Sequence, residues 1–325
     1  MFRPTLILAF LAAWLLLPTG APAQAPAYPA KPLRLIVSAG PGSVVDLRAR
    51  QLASRLPDLL GQPLVVDNRP GGNGFLAAEA VARAPADGYT LLLGAQSIFA
   101  VNPWLFKTLP YRPDEDFLPV TLLTSGPIIL CVNAQVPARS VAELLALARA
   151  KPDLLTYATS GRGAIGYLLM EQLKLKTGAR LLPVGYKATG AEIPDLIAGQ
   201  ISAGLNFWSV LRPHVQSGKL RALAVADSRR LAAAPEIPTF AELGYAYMEG
   251  VSWQGIFLPA GTPPSIVSTL QVAIMRTLQL PEIRDPMIET GSQPGGNSPE
   301  EFAAFIRADR ARMGRMMREA NIAPE

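Results

Sequence analysis

Residues 33–56 read LRLIVSAGPGSVVDLRARQLASRL, and the rest of the chain is organised around this stretch. Leu33–Val37 is an apolar run followed by Gly40-Pro41-Gly42, which predicts a short buried β-strand and a tight turn. After Ser43, a good helix N-cap, apolar residues recur on one helical face: Val45, Ala49, Leu52, Ala53 and Leu56. The stretch therefore predicts a strand, a turn and an amphipathic helix.

A helix that begins at such a turn points unpaired backbone N–H groups and the positive end of its dipole into the turn. A carboxylate or a phosphate is the usual ligand at that position. The same pattern is also typical of an ordinary strand-to-helix connection that binds nothing. Residues 33–56 alone leave both interpretations open.

The N-terminal segment has the pattern of a secretory signal peptide. Arg3 precedes an apolar run, residues 5–17, which ends at Pro18 and is followed by the small residues Ala21-Pro22-Ala23. The run is shorter than the roughly 20 residues that a membrane span requires. We expect cleavage after Ala23 to remove residues 1–23 and leave a soluble exported protein, with an uncleaved anchor as the weaker alternative.

The counts of cysteine and histidine restrict the chemistry of the chain, which has one of each, Cys131 and His214. A single cysteine excludes an intramolecular disulfide and a thiolate metal cluster. A single histidine excludes any Ser-His or Cys-His triad that is not built on His214. His214 lies in the sequence RPHVQSGK, which suggests a solvated helix face. We expect no metal and no cofactor.

The charge pattern argues against nucleic acid as a partner. The formal net charge is +5, and the basic residues are scattered along the chain without a block of like charge. A mildly cationic surface instead favours small anionic molecules.

Strand and helix patterns alternate along the chain, which predicts an α/β protein with two lobes. Strands are expected at 33–37, 63–68, 89–94, 120–124, 128–133, 154–158, 181–184, 201–206, 221–225 and 251–258, with closing helices near Pro264, Pro281 and Pro299. Lobe I is expected to comprise residues 24–124 plus 251–325, and lobe II residues 125–250. Each lobe should hold a mixed, mostly parallel sheet flanked by helices, and two chain crossings predict a hinge.

Two loops are expected to face the cleft between the lobes, residues 38–46 and residues 159–163. The second loop begins a formal G-x-G-x-x-G at Gly161, but a dinucleotide site also needs an acid about 20 residues later. The next predicted strand ends in VGYK, without that acid. We therefore expect glycine-rich backbone that approaches a small anion, with Arg162 either a carboxylate partner or a solvated loop residue.

Several segments together resemble the Bug family, the extracytoplasmic solute receptors of the tripartite tricarboxylate transporters. The resemblance covers essentially all of the sequence after the signal peptide. It is carried by YPAKPLRLIVSAGPGSVVD, LGQPLVVDNRPGGNGFLAAEAVARAPADGYTLL, NPWLFKTLPYRPDEDFLPVTLL, LTYATSGRG, SGKLRALAV, IPTFAELG, LPAGTPPSIV and SPEEFAAFI. The resemblance implies a periplasmic binding protein of the two-lobed, type II-like fold that closes by a hinge motion on a small carboxylate.

The resemblance also implies which residues bind the ligand. From lobe I these are Ser38, Ala39, Gly42, Ser43, Val44, Asp46, Gln96 and Ser97. From lobe II these are Thr159, Ser160, Arg162, Gly163, Ala164, Tyr186, Lys187 and Asn206. We expect Asp46 to organise its own loop by accepting backbone N–H bonds, because its charge would repel an anionic ligand.

The sequence departs from the family pattern at several of these positions. The family usually has an aromatic residue, often flanked by prolines, at Ser38-Ala39-Gly40, and often has Gly-Gly at Gly42-Ser43. It commonly has Asn, Thr and His at the positions of Arg162, Ala164 and Tyr167, and Asp at that of Asn206. These differences predict a looser and less negative pocket, and hence a ligand at least as acidic as, or bulkier than, simple amino or dicarboxylic acids.

The expected function is reception of a carboxylate solute for a tripartite tricarboxylate membrane permease, by a monomeric periplasmic protein. A ligand-sensing subunit for a membrane signalling partner would have the same fold and is the alternative. An exported hydrolase is less favoured, because no histidine lies beside a cleft motif to activate a nucleophile. We therefore expect a binding protein with no catalytic residue.

Overall fold

The computed structural model describes residues 28–186 and 190–325. The predicted signal peptide, residues 1–23, and the candidate Lys187 lie outside the described residues. Within the described residues, the predicted order of strands and helices is confirmed, with ends shifted by a few residues. The exception is the region 120–133, where one long strand replaces two predicted strands.

The strands of the described chain form one continuous curled sheet. They are β1 Leu33–Val37, β2 Leu64–Asn68, β3 Thr90–Ala95, β4 Phe117–Asn133, β5 Thr156–Thr159, β6 Leu182–Gly185, β7 Ala203–Phe207, β8 Leu220–Val225, β9 Val251–Pro259 and β10 Gln293–Pro294. Their order in the sheet is β2-β1-β3-β9-β4-β7-β5-β6, with β8 and β10 also paired to β4.

Helices flank both faces of this sheet. They are α1 Val44–Leu60, α2 Phe75–Ala82, α3 Asn102–Leu105, α4 Val141–Ala150, α5 Ile165–Thr177, α6 Ile193–Ala198, α7 Trp208–Gln216, α8 Pro264–Gln279, α9 Pro281–Glu289 and α10 Pro299–Glu319. A π-helical turn, Ser97–Val101, leads from β3 into α3.

The strand directions give two lobes of similar design. In lobe I, β1, β2, β3 and the first part of β4 run in one direction and β9 runs opposite. In lobe II, β5, β6, β7 and β8 run in one direction and the second part of β4 runs opposite. The predicted mixed, mostly parallel arrangement is confirmed, whereas the lobe boundaries at 124/125 and 250/251 stay a prediction.

The middle of β4 corrects the prediction of two separate strands at 120–124 and 128–133. Ser125-Gly126-Pro127 were expected to break the chain, yet all three pair with β9 and the strand is continuous. Pairing with β9 along the whole segment outweighs the local turn preference of glycine and proline. Gly126 serves packing here, because a Cβ on it would lie 3.3 Å from the carbonyl oxygen of Gly291.

The opening unit of the chain folds as predicted, and it buries more than its apolar face. The Ser43 hydroxyl caps α1 by accepting a hydrogen bond from the Asp46 backbone N–H. Ala49, Leu52 and Leu56 are fully buried, but Asp46 and Arg48 are buried as well. The two charged residues make separate sets of hydrogen bonds, Asp46 with Gly42 and Asn68 on one side of α1 and Arg48 with Thr290 and Ser292 on another.

Three apolar clusters hold the layers together. One lies under α1, α8 and α9 in lobe I, and another lies under α6 and α7 in lobe II. The third is continuous between the lobes and includes Phe99, Trp253 and Phe302 of lobe I with Tyr157 and Leu169 of lobe II. The lobes therefore share apolar core in addition to the chain crossings.

The C-terminal segment makes a connection between the lobes that the sequence analysis did not anticipate. Glu319, at the end of α10, lies 3.2 Å from the Lys176 ammonium of α5. The backbone of Glu325 pairs with Leu105 and Lys107 in lobe I, while its carboxylate lies 2.9 Å from the Arg162 guanidinium. The tail thus bridges the two lobes at the edge of the cleft.

Each helix of the described chain is either too short or too polar to cross a membrane.

The packing of Gly255 in β9 gives a prediction about stability. A Cβ at this position would overlap the ring of Phe302, which is fully buried in α10 and cannot move aside. We expect Gly255→Ala to lower the free energy of unfolding by about 1–3 kcal/mol, as overpacking does. Chemical denaturation followed by circular dichroism measures this change.

Gly185 in β6 is the matched control, because no atom lies within 4 Å of the Cβ that alanine would add. Gly185→Ala should change stability by less than about 0.5 kcal/mol. Equal losses in the two variants would contradict the packing assigned to Gly255.

Candidate functional site

The carboxyl ends of β3, β5 and β7 meet at a cavity of about 240 Å³ between the lobes. The carboxyl ends of strands carry the ligand-binding loops in open α/β sheets. The cavity is lined by Asn73, Ala95, Gln96, Ser97, Ile128, Ala158, Thr159, Ser160, Gly163, Ala164, Ile165, Gly166, Tyr167, Glu192, Leu205, Asn206, Phe207 and Ser252. The structure thus brings together seven of the predicted residues: Gln96, Ser97, Thr159, Ser160, Gly163, Ala164 and Asn206.

The N-terminus of α5 forms one wall of this cavity. Ala164 is its N-cap, with extended backbone (φ −76°, ψ 134°) and no side chain that could cap the helix. Ile165, Gly166 and Tyr167 make up the first turn and line the cavity. Their backbone N–H groups have no acceptor within the helix, so this wall suits an anion.

The loop that leads into α5 is shaped by its glycines. The Thr159 hydroxyl lies 3.1 Å from both the backbone nitrogen and the carbonyl oxygen of Gly161, whose φ is +120°. A Cβ on Gly163 would lie 2.9 Å from Cδ2 of Leu105, so glycine is needed where this loop approaches lobe I. Of the glycines that the sequence analysis assigned to anion approach, Gly163 therefore also serves packing between the lobes, whereas no atom lies within 4 Å of a Cβ on Gly161.

Gln96 reaches the opposite wall of the cavity from the end of β3. It is buried, and its Nε2 donates a hydrogen bond to Asp309 Oδ2 at 2.7 Å. The same oxygen accepts a hydrogen bond from Trp253 Nε1 at 2.8 Å, and Oδ1 accepts one from Arg312 at 2.7 Å. Because its amide nitrogen is held this way, Gln96 keeps its carbonyl oxygen as the group free for a ligand.

Asn206 and Glu192 form a buried polar pair on the lobe II wall. Asn206 Oδ1 accepts a hydrogen bond from the Phe207 backbone N–H at 2.7 Å, and Nδ2 donates to Glu192 Oε1 at 2.5 Å. Glu192 Oε2 accepts from the Gly190 backbone N–H at 2.8 Å. Glu192 is 5% exposed and carries the only charged side chain among the described lining residues.

The first loop is held by Asp46, as predicted, and does not line the cavity. Asp46 Oδ2 accepts hydrogen bonds from the Gly42 backbone N–H at 2.9 Å and from Arg50 Nε at 3.0 Å. Oδ1 accepts from Asn68 Nδ2 at 2.9 Å. The candidates that this places outside the cavity lining are Ser38, Ala39, Gly42, Ser43, Val44 and Asp46.

Arg162 and Tyr186 also lie outside the cavity lining. The Arg162 guanidinium pairs with Glu325 at 2.9 Å and also interacts with Tyr167, which lines the cavity. The Tyr186 hydroxyl donates to Asp195 Oδ2 at 2.7 Å, and burial together with the Asp195 carboxylate raises the pKa of Tyr186 to about 12. The expectation that Arg162 makes the pocket less negative stays a prediction: its guanidinium pairs with Glu325, while its charge acts to lower the pKa of Tyr167, which lines the cavity.

Several lining residues were missed by the sequence analysis. Glu192 and Ser252 lie in no recognisable motif, and Tyr167 was noted only as a departure from the family pattern. Burial and the Glu171 carboxylate raise the pKa of Tyr167, and the Arg162 guanidinium opposes part of that rise. The N-terminal position of Tyr167 in α5 was the one available signal, since first-turn residues of a cleft helix often reach the ligand.

The lone cysteine and histidine are not part of the site. Cys131 is fully buried in β4, where it donates a weak hydrogen bond to the Gly204 carbonyl oxygen at 3.4 Å and where burial raises the pKa of its thiol. His214 lies on α7, away from the cavity lining. Within residues 28–186 and 190–325, no group of three or more His, Cys, Asp or Glu side chains is placed to hold a metal ion.

Two mixed α/β lobes with a cavity at the carboxyl ends of their strands and an uncapped helix N-terminus in its wall define a solute-binding protein of the two-lobed class. Residues 48–322 match the family described as the tripartite tricarboxylate transporter family receptor. The chain belongs to this family of solute receptors, which confirms the membership predicted from the sequence motifs.

Individual relatives agree with this assignment over nearly the whole length. The chain is 36% identical to protein BugT of Bordetella pertussis over 92% of both proteins. It resembles the structure of Rhodopseudomonas palustris Rpa4515 with adipate, with a TM-score of 0.85, 34% identity, and coverage of 92% of this chain and 100% of that one. It also resembles the structure of MatC of the same organism with bound malate, with a TM-score of 0.80 and 29% identity. That match covers 89% of this chain and 99% of MatC.

The network around Asp46 predicts a loss of stability in acid. Hydrogen bonds from Arg50, Gly42 and Asn68 hold the pKa of Asp46 at about 2, below its ordinary value of 3.8. Because the folded-state pKa is the lower one, the stabilisation is complete above about pH 5 and is lost as the pH falls towards 2. We expect the difference in Tm between wild type and Asp46→Asn to be largest at neutral pH and to shrink between pH 5 and 2.

Asp58→Asn is the control on the same helix. The Asp58 side chain is 66% exposed, and its ion pair with Arg55 is long, at 3.8 Å, so this carboxylate contributes little to stability. Its Tm difference from wild type should stay small across the same pH range. A Tm difference for Asp46→Asn that does not change with pH would contradict the role given to the ionised carboxylate.

Proposed function

We propose that the protein is an extracytoplasmic receptor that binds a small carboxylate-containing solute in the cavity between its lobes. The observation that carries this proposal is the uncapped N-terminus of α5 in the cavity wall, where backbone N–H groups and the helix dipole favour an anionic oxygen. The adipate bound to Rpa4515 and the malate bound to MatC are small carboxylates and support the same ligand class.

We assign the contacts with the ligand as follows. One carboxylate group lies at the first turn of α5, where it accepts hydrogen bonds from backbone N–H groups and from the hydroxyl of Ser97. Gln96 and Asn206 contact the remainder of the ligand from opposite walls. We assign no contact to Arg162, because its side chain lies outside the lining of the cavity.

We further propose that the ligand stabilises a closed arrangement of the lobes. The first loop lies next to the cavity, since a Cβ on Gly74 would be 3.6 Å from the Ser38 Cβ and Asn73 lines the cavity. Closure brings residues 38–46 onto the ligand, which gives the closed state contacts that the open state lacks. The ion pairs of the C-terminal tail are exposed and weak enough to break during this motion.

Family membership and the N-terminal sequence support the place of the protein in a transport system. We propose that residues 1–23 direct export and are cleaved after Ala23, and that the mature receptor is a periplasmic monomer. Its partner is a membrane permease of the tripartite tricarboxylate type, to which it delivers the solute.

Isothermal titration calorimetry with C4 to C7 mono-, di- and tricarboxylates tests the proposed function. We expect at least one carboxylate to bind with a Kd in the micromolar range or below, and small-angle X-ray scattering of the saturated protein to show a smaller radius of gyration. Absence of binding across the panel, or turnover of a bound ester or amide, would overturn the receptor assignment. Unchanged scattering at saturation would overturn closure alone.

Ala164→Asp tests the helix N-terminus without destabilising the fold. Aspartate is a good N-cap and would occupy the first-turn N–H groups with its own carboxylate, so we expect a more stable protein. We expect at least about tenfold weaker binding of the carboxylate, because hydrogen bonds to a charged group contribute about 1.5–3 kcal/mol each.

Arg162→Gln is the matched control two residues away. It removes a charge at the edge of the cleft, and we expect the Kd to change by less than about threefold. Weakened binding in Arg162→Gln with unchanged binding in Ala164→Asp would show that the arginine, and not the helix N-terminus, holds the anion.

A further inference from the structure

The cavity proposed to bind a carboxylate already contains one, the side chain of Glu192, which is 5% exposed. This residue lies in the same lobe as the first turn of α5, where the ligand carboxylate is assigned. A Cβ on Gly166 in that turn would lie 3.3 Å from the Leu205 Cβ. The residue after Leu205 is Asn206, whose Nδ2 donates a hydrogen bond to Glu192 Oε1 at 2.5 Å. Glu192 and the ligand carboxylate therefore share one wall of the cavity.

The titratable groups that face Glu192 do not balance its charge. Burial raises the pKa of the Cys131 thiol in β4, and the Glu192 carboxylate adds to that rise. Burial, Asp195 and Glu192 together raise the pKa of Tyr186, which follows β6, to about 12. The thiol and the phenol are thus uncharged at neutral pH, and Asp195 of α6, which accepts the hydrogen bond of the Tyr186 hydroxyl, is a further acid.

The other neighbours of Glu192 in the described part of the chain supply no positive charge either. The strand β7 contributes the amide of Asn206, and the first turn of α5 contributes the phenol of Tyr167 to the same cavity. Within residues 28–186 and 190–325, no arginine, lysine or histidine forms an ion pair with Glu192. A second anion on this wall would therefore add to a negative charge that only hydrogen bonds stabilise.

Hydrogen bonds hold the Glu192 carboxyl group in place in a way that suits both of its protonation states. The Phe207 backbone N–H binds Asn206 Oδ1 at 2.7 Å, which directs the amide Nδ2 towards Glu192 Oε1. Glu192 Oε2 accepts a hydrogen bond from the Gly190 backbone N–H at 2.8 Å. A protonated carboxyl group keeps acceptor capacity on both oxygens and gains one O–H donor, so neither hydrogen bond has to break.

We propose that the receptor takes up one proton from solvent when it binds its carboxylate solute, and that Glu192 receives this proton. Of two carboxylates that share a desolvated site, one holds a proton more tightly than it would alone. The O–H group of Glu192 then donates a hydrogen bond where an ionised carboxylate would repel the ligand. The proton returns to solvent when the ligand leaves. The inference rests on the proposed function, because it concerns the same ligand in the same cavity.

Proton uptake makes the affinity depend on pH in a defined direction. A carboxylate that is ionised in the free receptor and protonated in the complex strengthens binding as the pH falls. Uptake of one full proton per ligand changes the Kd about tenfold per pH unit, by the same linkage that relates protonation to stability. We therefore expect the Kd to rise at least about fivefold between pH 6 and 8.

Isothermal titration calorimetry counts the protons directly. The carboxylates of the panel, from butyrate and succinate to adipate and citrate, are titrated at pH 7, and the member that binds most tightly is chosen. Its binding enthalpy is then measured in phosphate and in Tris, two buffers that differ in their enthalpy of ionisation. The dependence of the observed enthalpy on that of the buffer gives the proton number, and we expect at least about half a proton taken up per ligand.

Two variants assign the proton to its residue. Glu192→Gln has no carboxyl group to protonate, so we expect its proton uptake to fall below about 0.2 per ligand and its Kd to change less than about twofold between pH 6 and 8. Any protonation of the ligand itself is common to this variant and the wild type. Asp195→Asn is the matched control, because Asp195 is an acid of the adjoining helix that does not line the cavity. It should take up as many protons as the wild type.

The outcomes separate this inference from the proposed function. If a carboxylate binds without proton uptake, or if Glu192→Gln keeps the uptake of the wild type, the inference fails and the receptor function stands. Uptake lost in Asp195→Asn and kept in Glu192→Gln would also overturn it. If no carboxylate of the panel binds, both fail. Should Glu192→Gln not fold, as judged by circular dichroism, Glu192→Ala takes its place, and the proton count of the wild type decides if neither folds.

Discussion

The carboxylate of Asp309 is the interaction on which the architecture around the cleft depends. It lies inside the protein and binds Gln96 at the end of β3, Trp253 in the returning strand β9 and Arg312 in its own helix α10. A buried charge is tolerated only when it is paired and hydrogen-bonded, so these groups are constrained to meet. One side chain thereby fixes the C-terminal helix against the sheet and sets the position of a wall of the cavity.

The cleft separates charges in a way that simple counting of charged residues would not reveal. The positive potential in the cavity wall comes from backbone, the first turn of α5, and the negative charge among the described lining residues is one carboxylate, Glu192. The nearby Arg162, which precedes α5 in the chain, forms an exposed ion pair with Glu325. Selectivity in such a site comes from the positions of partial and full charges, and not from the net charge of +5.

The C-terminal segment gives the two-lobed fold a further link besides its chain crossings. It pairs with lobe I through backbone hydrogen bonds and with lobe II through exposed ion pairs. Exposed ion pairs contribute about 0–1 kcal/mol each, so they hold the lobes together weakly and reversibly. The shared apolar core near Trp253 is the stronger link, and the proposed motion has to pivot around it.

The sequence by itself determined the local elements, the family and the main loops of the site. Apolar spacing set β1 and α1, Ser43 set the start of α1, and the glycines of residues 159–163 marked the loop before α5. Each of these features depends on residues a few positions apart in the chain, so it can be recognised from the sequence without knowledge of the fold.

The tertiary structure alone decided the continuity of β4, the pairing of Arg162 with Glu325 and the placement of Glu192 in the cavity. Each of these depends on contacts between residues far apart in the chain or on the path of the backbone in space. Local spacing carries no information about such contacts. A glycine and a proline remain in a strand, and Arg162 pairs with a residue at the far end of the chain, because partners elsewhere in the fold stabilise those arrangements more than local preference opposes them.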